Sequence, residues 1–234
     1  MIKIEGLSKS FGSLYALRDV NLEMLSGEFW IIVGPNGAGK TTLLKIIATL
    51  SQPSKGSINI NGITSGKNKL EIRKRIGFIG HQSFLYNNLT AEENLKFYAR
   101  MYHLDHANQR IENILNRVGL YDRKGDLVRT FSRGMQQRLS IGRALLTDPN
   151  IILLDEPFSG LDQSAIDIFV HIFTSLSSPD RIIIMTTHNL PLGLQLATHF
   201  AILTTGRLTY QDQTRTIDLP RFKKMYREMT GEVK

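Results

Sequence analysis

Gly34-Pro35-Asn36-Gly37-Ala38-Gly39-Lys40-Thr41 stands between five apolar residues, 29–33, and Leu43, Leu44, Ile46 and Ile47, which share one face at helical spacing. Strand, glycine-rich loop and helix in that order match G-x-x-x-x-G-K-[ST], the phosphate-binding P-loop. Glycines let successive backbone N–H groups converge on a β-phosphate, and the helix N-terminus adds its partial positive charge. Lys40 is expected to reach the β- and γ-phosphates of ATP, and the Thr41 hydroxyl to ligate Mg²⁺. With Thr42, the run is expected to line the nucleotide along its length. The alternative is a glycine-rich turn without ligand, which gives the lysine no task.

Outward from this loop, strand-like and helix-like runs alternate, which argues for an α/β fold. Candidate strands are 2–5, 20–24, 29–33, 57–60, 75–79, 151–154, 182–186, 200–203 and 207–210. The early ones alternate in polarity between glycine turns, as an antiparallel β-subdomain does, whereas 151–154 and 182–185 are continuous apolar runs typical of buried parallel strands. Between Gln82 and Pro149 the pattern turns helical. Thr90 and Glu93 form a capping box, followed by Leu95, Tyr98, Met101 and Tyr102 as an apolar stripe. Ile111, Ile114, Leu115 and Val118 repeat that spacing and Gly119 is a stop signal. A third helix is expected from about 132 to 146, halted near Asp148-Pro149. The expected architecture is one P-loop NTPase unit: an α/β core with its β-subdomain over 1–82 and 148–234, and an inserted α-helical subdomain over 83–147. Neither an internal repeat nor a linker is visible, which excludes a second full unit.

At 234 residues and 41% hydrophobic content the chain can bury a sizeable core. Cysteine is absent, which removes disulfides, thiol nucleophiles and cysteine metal sites and fits a reducing compartment. No apolar run approaches the ~20 residues that span a bilayer, and no signal peptide opens the chain, so it is expected to be soluble by itself. The net charge of +8 raises nucleic acid and anionic lipid as partners, with Arg221, Lys223, Lys224 and Arg227 as the densest cluster. A solvated helix face is the stronger reading of that cluster. His81, His103, His106, His171 and His199 make no metal-ligand spacing.

Asp155 ends the apolar run 151–154, at the edge where open α/β sheets place their ligand crevice. A carboxylate there can hold Mg²⁺ beside the P-loop hydroxyl. Glu156, the next residue, points elsewhere and can position and polarise an attacking water. The competing reading, in which Asp155-Glu156 caps a helix starting at Pro157, loses force with a P-loop upstream.

Together with Phe131-Ser132-Arg133-Gly134-Met135-Gln136-Gln137, Gln82 and His188, these motifs make the whole chain resemble the nucleotide-binding subunit of an ATP-binding-cassette (ABC) transporter, with a RecA-like core. The resemblance implies two subunits packed head to tail, each ATP lying between one P-loop and the other subunit's signature, usually Leu-Ser-Gly-Gly-Gln. Ser132 and Gly134 match the serine and second glycine that contact the γ-phosphate; Arg133 and Met135 belong to the same turn, and Phe131, Arg133 and Met135 depart from the usual residues. Gln82 resembles the glutamine that contacts Mg²⁺ and the water and senses the membrane partner. Asp162, in Ser159-Gly160-Leu161-Asp162, resembles the loop residue coupling the two sites. His188 resembles the histidine that contacts the γ-phosphate, and Phe11 the aromatic that stacks on adenine, although an aromatic in such a turn also serves packing.

The implied protein is an ATPase in which Glu156, His188, Gln82 and Lys40 carry the chemistry and Thr41, Gln82 and Asp155 the metal. Its implied partners are a second copy and an integral membrane permease, at the cytoplasmic face of the membrane and without nucleic acid. Residues 77–100 resemble exporter-type ATPases, closest to those of haem export in cytochrome c maturation; drug, lipid and polysaccharide exporters share much of the stretch. A ribosome or DNA ATPase would carry tandem units or a long coiled coil. An iron–sulfur assembly ATPase would bring soluble scaffold proteins, and a P-loop kinase has no use for the signature.

Overall fold

The computed structural model describes residues 1–64, 68–80 and 83–231. Its centre is a six-stranded sheet of β3 (Phe29–Val33), β6 (Ile76–Ile79), β7 (Ile151–Asp155), β8 (Ile182–Thr186), β9 (His199–Thr204) and β10 (Arg207–Gln213), in the order β10-β9-β3-β8-β7-β6. Pairing is parallel from β9 to β6, and only β10 runs antiparallel, against β9. A second, antiparallel sheet is built from β1 (Ile2–Phe11), β2 (Leu14–Met24), β4 (Lys55–Ile60) and β5 (Ile63–Thr64).

The continuous apolar runs have a direct cause: both faces of the parallel sheet are covered. In β3, Phe29, Ile31 and Val33 join one core with the later helices, while Trp30 and Ile32 join a second core under the antiparallel sheet. Helix α1 (Lys40–Ile47) lies in that second core and buries Leu43, Leu44, Ile46 and Ile47. Removing each such side chain from water contributes about 2 kcal/mol. A short α2 (Lys69–Lys74) precedes β6, and neither it nor β5 was expected.

Between β6 and β7 come α3 (Ala91–Met101), α4 (Ala107–Arg117) and α5 (Arg133–Leu145). The Thr90–Glu93 capping box forms with both of its hydrogen bonds. Leu95 and Tyr98 are buried as the stripe requires, but Met101 is half exposed. Tyr102, the next residue, packs against the core as the stripe requires, so Met101 alone turns outward at the edge of that face. α6 (Gln163–Leu176) follows β7, α7 (Leu190–Leu196) follows β8, and α8 (Leu219–Thr230) closes the described chain. On α8, Phe222 and Tyr226 are buried while Arg221, Lys223, Lys224 and Arg227 are exposed, the division of an amphipathic helix on a core.

Candidate nucleotide site

The glycine-rich loop leaves β3 at the centre of the sheet, with β8 and β9 as its neighbours, and enters α1 at Lys40. Gly39 caps the helix at φ +104°, where a Cβ would stand 2.3 Å from the Ala16 carbonyl oxygen. Only glycine meets both demands. Lys40 is buried, and its Nζ donates to the carbonyls of Gly34 at 2.7 Å and Pro35 at 3.1 Å, curling the loop around the ammonium.

Sheet register brings the acidic residues to this loop. β7 pairs with β8 so that Asp155 lies opposite Thr186. The Thr186 hydroxyl donates to Asp155 Oδ1 at 2.7 Å, and Thr41 Oγ1 donates to the same oxygen at 3.0 Å. A buried carboxylate left unpaired would cost several kcal/mol, so these two hydroxyls account for its place in the core. Thr186 also receives the backbone N–H of Glu156, through its hydroxyl at 3.0 Å and its carbonyl at 3.2 Å. This one threonine therefore fixes both acidic residues. Sequence reading placed it only as the end of a strand. The available signal was Thr186-Thr187 closing an otherwise apolar run.

Glu156 sits at φ +51°, a left-handed conformation that non-glycine residues adopt rarely and chiefly at functional sites. The turn aims its carboxylate at His188. The backbone N–H of His188 donates to Oε2 at 3.2 Å, and the ring Nε2 lies 3.2 Å from Oε1 without the alignment of a hydrogen bond. Oε1 is buried. No helix starts at Pro157; the next one begins at Gln163, so the capping alternative for Asp155-Glu156 fails. Asn36, Gly37, Ala38, Gly39, Lys40, Thr41 and Thr42 line one cavity of about 250 Å³ together with Ala16, Glu156 and His188.

Ser132, Gly134 and Met135 lie elsewhere, whereas Arg133, Gln136 and Gln137 also line a cavity of about 200 Å³ with Glu156. Ser132 caps α5, its hydroxyl accepting from the Met135 N–H at 3.3 Å. Asp162 caps α6 by accepting from Ala165 N–H at 2.8 Å. Both lie with Arg133, Gly134 and Met135 on a second cavity of about 360 Å³, which shares no lining residue with the first. The departures from the usual signature have local causes. Phe131 is buried and Met135 packs against the same core. The Arg133 guanidinium covers Gly160, whose φ is +72° and whose missing Cβ would stand 2.7 Å from Cζ. Phe11 ends β1 with its ring exposed and Lys9 Nζ 4.9 Å from the ring centroid, and it is not among the residues lining the first cavity. Gln82 and His81 lie outside the described residues.

Among the described residues no group of three or more His, Asp or Glu side chains could hold a metal without help. The Thr41 hydroxyl beside the Asp155 carboxylate is a hard oxygen donor set that fits Mg²⁺.

The sequence profile of the ABC transporter family matches residues 17–159. The chain is 38% identical over 199 residues to the ABC transporter ATP-binding protein NatA of Bacillus subtilis (strain 168), covering 84% of this chain and 81% of that one. It is 34% identical over 190 residues to the linearmycin resistance ATP-binding protein LnrL of the same organism, covering 80% of this chain and 61% of the relative's length. Among solved structures, the dimeric post-hydrolysis state of the ATP-binding cassette MJ0796 bound to ADP and Pi superposes with a TM-score of 0.84. Identity there is 29%, over 92% of this chain and 99% of that one. With a P-loop tied to Asp155, a signature turn on a separate cavity and a family profile across the residues between them, the chain belongs to the ABC transporter family and is an ATPase.

Proposed function

We propose that this chain drives a separate membrane permease as one half of a head-to-tail ATPase dimer, exporting an antibiotic-like molecule. The observation that carries the dimer is the separation of the two cavities: Ser132 and Gly134 do not line the cavity of their own P-loop. A γ-phosphate held by Lys40 meets a signature turn only if a second copy supplies it. The dimeric cassette among the solved relatives supports the same arrangement. Among the described residues no helix is long and apolar enough to cross a membrane, so the stroke passes to a partner. The chain then works peripherally, at the cytoplasmic face.

In this reading Lys40 and the loop N–H groups stabilise charge on the transferring phosphoryl group, where preorganised donors are most effective. Thr41 and Asp155 would hold Mg²⁺, with Gln82 as a further contact, and the ion would supply charge neutralisation on the phosphates when bound. Glu156 orients and polarises the attacking water, and His188, whose backbone N–H holds Oε2, fixes that carboxylate while facing the γ-phosphate. Phe11 stacks on adenine. The products are ADP and phosphate, and loss of the bridging γ-phosphate reopens the dimer.

For cargo, the name of the linearmycin resistance relative supports an antibiotic-like molecule. The haem reading of residues 77–100 finds no support in the names of NatA and LnrL. A chromosomal Lys40→Ala replacement separates the two. Sensitisation to linearmycin with intact cytochrome c supports the antibiotic reading; loss of cytochrome c without sensitisation restores the haem one.

A further inference from the structure

Glu156 lines two cavities: that of the P-loop, and the one of about 200 Å³ that it shares with Arg133, Gln136, Gln137 and Ser159. Arg133 and Leu161 line this middle cavity and the signature cavity alike. Glu156 therefore stands in the wall between the first and the middle space, and Arg133 in the wall between the middle one and the signature turn.

The middle cavity is polar. Among the described residues Leu161 is its only large apolar side chain and Arg133 its only cation. Gln136 is spoken for, its Nε2 donating to the Val128 and Phe131 carbonyls at 3.4 and 3.3 Å. The side chains of Arg133 and Gln137 have no hydrogen-bond or ion-pair partner among the described residues, and the guanidinium rests on Gly160. Donors left open towards a polar cavity suit an anion rich in acceptor oxygens, and a planar guanidinium binds phosphate through two parallel bonds. Arg133 stands where the usual signature has glycine, so this cation is a feature of the chain and not of the motif.

Hydrolysis joins the water oxygen to the γ-phosphorus, breaks the bond to the bridging oxygen of ADP, and passes a water proton to Glu156. Orthophosphate then stands beside a neutral Glu156, which does not repel it. In the closed dimer the partner's signature covers the other side. We propose that orthophosphate leaves past Glu156 and is held by Arg133 and Gln137 in the middle cavity before release. The inference rests on the head-to-tail reading and adds a product site to it.

The test starts from the Lys40→Ala chain without nucleotide, in which the P-loop has lost its phosphate-binding ammonium. Equilibrium dialysis with radiolabelled orthophosphate should find one saturable site per chain. Arg133→Met should weaken that site about tenfold and Arg133→Lys should recover most of the loss. Gln137→Phe should abolish it, since Gln137 lines this cavity and neither neighbour. With Lys40 restored, quenched-flow cleavage and a fluorescent phosphate sensor time the two steps, and Gln137→Phe should make release lag behind cleavage. No saturable site, a site indifferent to both substitutions, or release that keeps pace with cleavage in Gln137→Phe overturns the proposal. The Arg133 pair decides the matter if Gln137→Phe fails to fold. A wild-type chain that stays monomeric with ATP overturns the head-to-tail reading instead, and the dialysis result is independent of it.

Discussion

Glu156 and His188 face each other beside the P-loop: the His188 N–H donates to Oε2 at 3.2 Å, and its ring Nε2 stands 3.2 Å from Oε1. The pair joins the end of β7 to the end of β8, and its geometry depends on a left-handed turn at Glu156. Glu156→Gln keeps the shape and removes the basic oxygen. Steady-state phosphate release should fall about 10²- to 10⁴-fold while ATP binding is retained. Hydrolysis near the wild-type rate would remove Glu156 from its role.

Thr186 holds both acidic residues, so an isosteric loss of its hydroxyl should be felt twice. Thr186→Val leaves Asp155 Oδ1 short of one donor and gives the Glu156 N–H a single acceptor. Urea unfolding should show a loss of about 2 kcal/mol, and ATPase activity should drop with it. Unchanged stability would mean that Thr41 alone satisfies the carboxylate.

Gly160 lies under the Arg133 guanidinium at φ +72°. Gly160→Ala should cost about 1–2 kcal/mol from backbone strain, plus the displacement of Arg133. Adding Arg133→Gly should recover the second part and leave the first, as measured by thermal and urea unfolding of the single and double variants.

Thr90→Ala removes the cap of α3 and should cost about 1 kcal/mol. Hydrogen bonds from the Thr90 backbone and hydroxyl hold the Glu93 carboxyl below its ordinary pKa. That contribution is complete above the ordinary carboxylate value and fades as pH falls through the lowered folded one. Alanine keeps the backbone donor, so only the hydroxyl's share is lost, and the stability gap between wild type and Thr90→Ala should narrow slightly in acid.

Most of the fold was legible because its signals are local. The apolar runs of β7 and β8, the stripe of α1, the Thr90 cap and the Ser132 start of α5 depend on near neighbours in the chain. β5 has two residues and α2 six, too short for either periodicity to register. At the site, Lys40, Thr41 and Asp155 could be read from spacing. Thr186 and Ala16 could not, because their roles arise from strand register and from the approach of β2 to Gly39. Arg143 carries no sequence signal, and only its place between the rings of Phe84 and Tyr98 distinguishes it. Met101 shows the converse: it falls at the edge of the apolar face, and Tyr102 beside it makes the core contact instead.

The central claim is that a second copy completes the site, and sedimentation of Glu156→Gln tests it most directly. With Mg²⁺ and ATP the variant should sediment as a dimer, with ADP as a monomer, and adding Ser132→Arg should return it to monomer while ATP still binds. A monomer that holds ATP at saturation, or a dimer indifferent to nucleotide and to Ser132→Arg, would contradict the account.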